Sequence, residues 1–72
     1  MTFIEALKES IKESGQAEVA SRIGVSQPLL SWWVNCKRLP GVEFIPAISR
    51  ETKINITSIV IQITELKKGK RS

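Results

Sequence analysis

The residues best suited to meeting another molecule gather in one short stretch. From Gln16 to Arg38 the chain reads QAEVASRIGVSQPLLSWWVNCKR, ending on two adjacent basic side chains. On a helical wheel at about 100° per residue, Leu30, Trp33 and Val34 share one face, and Pro28, Ser31, Trp32 and Asn35 share the opposite one. Gln27 projects from the N-terminal end of the same segment. The first face belongs in a core. The second offers amides and a hydroxyl, and a glutamine amide can pair with adenine at two points. Apolar surface beside them suits a thymine methyl. This is chemistry for reading duplex DNA through its major groove. The base-reading candidates are therefore Gln27, Pro28, Ser31, Trp32 and Asn35. Ser26 at the helix start, Lys37 and Arg38 just beyond its end, and Arg22 on the preceding helix are the phosphate candidates.

Each of these residues has a plainer reading. Trp32 either meets DNA or covers Leu29, a neighbouring loop or a partner subunit. Ser26 and Asn35 serve a helix simply as its cap and its terminator. Lys37, Arg38 and Arg22 also suit a solvated surface.

No comparable set exists for catalysis. The sequence has no histidine and one cysteine, Cys36, so a zinc site has no ligand set and an internal disulfide has no second sulfur. No serine, cysteine or carboxylate has the histidine or paired acid that an active site needs. The expectation is a chain that is not an enzyme and needs no metal or cofactor.

The elements that must position the candidate face follow from local signals. Thr2 and Glu5 form a capping box, and Phe3, Ile4, Leu7 and Ile11 recur at helical spacing behind it. Gly15 is expected to stop that helix in a left-handed conformation. A short helix from about Gln16 to Ile23 buries Val19, Ala20 and Ile23. Ala20 is small where two helices must cross, and Gly24 supplies the positive φ of the turn. Val25 then points to the core, and Ser26 caps a helix running through Asn35, with Pro28 in its first turn. The structural set of this bihelical unit is Ala20, Gly24, Val25, Leu30 and Trp33.

Leu39-Pro40-Gly41 reads as a turn. A fourth helix over roughly 43–52 turns Phe44, Ile45 and Ile48 inward, with Pro46 at its start. The segment 57–66 supports two readings. Ile59, Ile61 and Ile63 alternate as in a strand, whereas Ile56, Ile59, Ile63 and Leu66 form a helical stripe that Thr57 could cap. The short helix is preferred, and the alternative is a dimer-forming β-strand. The fold expected is mainly all-α, a compact domain of four to five helices over residues 1–66. Residues 67–72 are expected to be a disordered basic tail.

The stretch from Gln16 to about Thr57 resembles the Cro/YdaS-like branch of the lambda-repressor-like helix-turn-helix proteins. The resemblance rests on QAEVASRIGVSQPLLSWWVN, on Lys37-Arg38 and on Pro46-Ala47-Ile48. It implies a compact helical bundle that binds an operator as a homodimer in phage or prophage transcriptional control, hence a bacterial cytoplasm and association with the nucleoid. Two positions depart from the pattern. Cys36 stands where members usually have glycine, and a left-handed backbone there would cost about 1 kcal/mol. Trp32 stands where a polar, base-reading residue is commoner.

Charge and length fit the same picture. Residues 1–36 carry three basic against four acidic side chains, and residues 37–72 carry eight against three, giving the net +4. A basic half suits a polyanion. A chain of 72 residues buries only roughly 60% of the surface its unfolded form exposes, so a partner subunit would add to a thin core. The N-terminus is not expected to be a signal peptide, and no apolar run approaches a membrane span. Two other functions compete with DNA binding: a toxin–antitoxin-type component that binds a protein partner with the same fold, and membrane-surface attachment through 59–71. The second is disfavoured because the same isoleucines are needed in the core.

Overall fold

The computed structural model describes residues 2–69. The described residues form five α-helices, α1 (Phe3–Ser14), α2 (Gln16–Ile23), α3 (Gln27–Val34), α4 (Ile45–Thr52) and α5 (Ile56–Gly69), with a 3-10 turn over Val42–Phe44 leading into α4. The all-α expectation holds, and no strand occurs among the described residues.

The capping box at α1 is present in full. Glu5 N–H donates to the Thr2 hydroxyl at 3.1 Å, and Thr2 N–H donates to the Glu5 carboxylate at 3.0 Å. Gly15 does take a positive φ, 92°, but its ψ of 150° is extended rather than left-handed helical. The residue therefore redirects the chain into α2 at once, serving as the end of one helix and the start of the next. Gly24, at φ 92° and ψ 34°, is the true left-handed terminator. Its N–H and that of Val25 both donate to the Ala20 carbonyl, at 2.8 and 2.9 Å.

The helices enclose one core. Phe3, Leu7, Val19, Leu30, Trp33, Ile48 and Ile59 are its most buried members, one or more from each helix. The Trp33 and Phe44 rings meet at 5.3 Å between centroids and a tilt of 56°, a favourable aromatic arrangement. Helix α1 packs on α2, α3 and α4, and α5 closes against α4.

The C-terminal half departs from expectation in several details. The fourth helix does not run continuously from residue 43, because the chain makes a 3-10 turn before α4 begins at Ile45, with Pro46 in the first turn. Helix α4 ends at Lys53 in a left-handed conformation, φ 61°, without glycine. The α5 cap is Asn55 rather than Thr57, since the Asn55 side-chain oxygen accepts the Thr57 N–H at 2.7 Å. Ile59 and Ile63 are buried and Leu66 packs beside them, as the helical stripe requires, but Ile56 is exposed. Helix α5 also runs past Leu66 and carries Lys67 and Lys68, so part of the expected disordered tail is helical. The remainder of that tail, Lys70 to Ser72, lies outside the described residues.

Candidate nucleic-acid interface

Helix α3 is held by its hydrophobic side and capped at both ends. Leu30 and Trp33 are almost wholly buried, and Val34 and Leu29 pack at the margin of the core. Val25, in the turn before it, is partly buried against the same cluster. At the N-terminus the Ser26 hydroxyl accepts the Leu29 N–H at 3.3 Å, and Pro28 occupies the first turn, where its missing N–H costs little. The helix ends at Val34, with Asn35 as its C-cap rather than its last residue.

Beyond Asn35, Cys36 adopts φ 59°. Its N–H donates to the Trp33 carbonyl at 3.2 Å, and the Lys37 N–H donates to the Trp32 carbonyl at 2.9 Å. These two bonds define a Schellman termination, which normally places glycine at the left-handed position. Cysteine fills that position here, so the backbone strain expected from the sequence is present. The Arg38 N–H also reaches the Trp32 carbonyl, at 3.3 Å, drawing the chain back toward the helix.

The side of α3 opposite the core is open. Gln27, Pro28, Trp32 and Asn35 are exposed and Ser31 is half-buried, so all five base-reading candidates reach the surface. A helix of eight residues is about 12 Å long, close to the width of a major groove. Two of the polar side chains are tied to each other. The Asn35 amide donates to the Ser31 carbonyl at 2.9 Å and to the Ser31 hydroxyl at 3.2 Å. Asn35 therefore spends donor capacity inside the helix, leaving its carbonyl oxygen as the freer group.

A residue outside the predicted set belongs to this neighbourhood. The Gln16 side chain, at the start of α2, donates to the Gln27 carbonyl at 2.9 Å, joining the N-termini of the two helices. Nothing local in the sequence signals this bond, because its partners are eleven residues apart.

The four phosphate candidates separate into distinct situations. Ser26, Lys37 and Arg38 are exposed next to α3. The Arg38 guanidinium lies over the Trp32 ring, 5.1 Å from its centroid. Arg22, by contrast, is engaged: its Nε and Nη2 donate to the two Glu51 oxygens at 3.0 and 2.7 Å, and Glu18 lies 3.7 Å away. The hydrogen bonds that Arg22 donates to Glu51 foremost raise its pKa above the ordinary value, favouring the charged form beside α4. Among the described residues these are the ion pairs, so Lys37 and Arg38 have no carboxylate partner.

Beside α5 lie two grooves. One, of about 360 Å³, is bordered by Ile4, Cys36, Ile61 and Leu66. The other, of about 270 Å³, is bordered by Pro40, Val42, Val60 and Ile63. Among the described residues no set of histidine, cysteine and carboxylate side chains is arranged to hold a metal ion, and no helix is long and apolar enough to cross a membrane. Comparison with protein-family models, with curated proteins and with solved structures found no match.

Proposed function

We propose that the chain is a sequence-specific DNA-binding regulator of the Cro-type helix-turn-helix kind, which represses transcription by occupying an operator as a homodimer. One observation carries this reading: α3 is locked to the core by Leu30 and Trp33 while its opposite side brings Gln27, Pro28, Ser31, Trp32 and Asn35 to the surface and is followed by Lys37 and Arg38, which form no ion pair among the described residues. A rigid helix of that composition supplies both kinds of contact that a DNA reader needs, base edges from the helix and phosphates from its flanks.

In the operator complex the N-terminal turn of α3 enters the major groove. Gln27 and Ser31 address base edges, with Pro28 and the rim of Trp32 supplying apolar contact. Lys37 and the Ser26 region hold the sugar–phosphate backbone and fix the register. Arg22 acts through the fold instead, tying α2 to α4.

The second copy is assigned to α5, where Ile56, Val60 and Ile61 remain exposed on its flanks although Ile59 and Ile63 of the same helix are buried. A 14-residue helix is about 21 Å long, and a contact between two such helices falls short of the about 1,200 Å² expected of a stable interface. The pair is therefore weak in solution and assembles on the operator, with half-site centres about 34 Å apart.

Footprinting on the promoter region beside the chain's own gene tests the reading. The expected result is a protected pair of half-sites. Equal affinity for every duplex offered would refute it.

A further inference from the structure

The one aromatic side chain on the exposed side of α3 is not bare. Trp32 retains 42% of its surface exposed, and the Arg38 guanidinium sits over its ring at 5.1 Å. The backbone turn explains why: the left-handed Cys36 reverses the chain, and the Lys37 and Arg38 N–H groups return to the Trp32 carbonyl. The side chain of a residue beyond the helix is thereby carried back onto the helix's outer side.

We infer that the Trp32–Arg38 pair is a base-reading element, in which Trp32 positions Arg38 to recognise a guanine in the major groove. The inference rests on the DNA-binding reading and deepens it, moving Arg38 from the phosphates to the bases.

Three observations support the assignment. First, the cation–π contact draws on the charge of the guanidinium, and among the described residues no hydrogen bond or ion pair takes up the Arg38 side-chain N–H groups. Those groups form the fork that matches O6 and N7 of guanine, the commonest specific protein–DNA contact. Second, the contact holds a long side chain that would otherwise lose rotamer freedom on binding. A restrained fork suits any planar two-point contact, and a guanine edge is one. Third, Arg38 has no carboxylate partner among the described residues, whereas the fork of Arg22 is already occupied by Glu51. The tryptophan in place of a polar residue then has a use: it forms the platform for a reader supplied from outside the helix.

The test is selection of bound duplexes from a random pool, followed by titration of the enriched site. The intact chain should enrich a half-site with a fixed guanine. Replacing that base by 7-deazaguanine, which lacks the N7 acceptor, should weaken binding about tenfold. Arg38→Ala should bind the normal and modified duplexes alike. Trp32→Ala, shown by circular dichroism to remain folded, should lose most of the same discrimination although Arg38 is intact. If Arg38→Ala weakens all duplexes by one factor and the intact chain ignores the modification, Arg38 is a phosphate contact and the pair is no reader. DNA binding itself would then still stand. Unchanged discrimination in Trp32→Ala would overturn the positioning role. A pool with no enrichment at all would overturn the inference together with the DNA-binding reading.

Discussion

The Gln62 side-chain oxygen accepts the Phe3 backbone N–H at 2.7 Å, joining the first turn of α1 to the middle of α5 across 59 residues of sequence. The first N–H groups of a helix have no partner within it, and this bond satisfies one of them while pinning the terminal helices together. Gln62→Ala should therefore lower stability by about 1 kcal/mol, read from the urea midpoint. Gln62→Glu should stay near the parent value, because a carboxylate accepts the same bond and favours a helix N-terminus. An unchanged midpoint in the alanine variant would show that the link contributes nothing.

Ala20 is 2% exposed, and its carbonyl receives both N–H groups of the turn into α3. A larger side chain there must displace α2 from its neighbours. Ala20→Leu is expected to cost about 1–3 kcal/mol through overpacking, visible as a lower thermal midpoint. It should weaken DNA binding only to the extent that the domain unfolds. A fully folded variant with lost binding would show instead that the larger side chain shifts α3 without unfolding the domain.

Cys36 has the opposite sign. At φ 59° a side chain costs about 1 kcal/mol relative to glycine, so Cys36→Gly should raise the thermal midpoint by a few degrees. The gain is reduced by the extra freedom of glycine in the unfolded chain. A lower midpoint would mean that the contact of Cys36 with the Ile4–Ile61–Leu66 groove outweighs the strain.

Lys37 and Arg22 should behave differently although both were phosphate candidates. Lys37→Ala is expected to weaken binding to all duplexes alike and to reduce the slope of log affinity against log salt by about 1. Arg22→Ala should leave that slope unchanged and lower the thermal midpoint, since its charge is spent on Glu51. Equal slopes for the parent and Lys37→Ala would remove Lys37 from the interface.

The legible features were those written in neighbouring residues. The Thr2–Glu5 box, the left-handed Gly24, the Ser26 cap and the small buried Ala20 all depend on spacings of four residues or fewer, and each appears as expected. The inner side of α3 was legible for the same reason. Periodicity did not decide everything: Ile59-Val60-Ile61 fits a strand as well as a helix, and packing of Ile59 and Ile63 on the core selects the helix. The Gln62–Phe3, Arg22–Glu51 and Gln16–Gln27 bonds join residues distant in sequence, and they leave no local trace. Lys53 was missed because a left-handed helix end is read from glycine or asparagine, and lysine gives no such signal. The outer side of α3 was legible as a surface, but the return of Arg38 onto Trp32 depends on the turn at Cys36.

The central claim is that the exposed side of α3 reads a DNA sequence. Gel-shift titration of the protected operator with the parent chain, Gln27→Ala and Ser31→Ala tests it most directly. Each substitution is predicted to cost about 1–3 kcal/mol on the operator and little on unrelated duplex, narrowing the gap between the two. Operator affinity unchanged in both variants, with the gap intact, would contradict the claim.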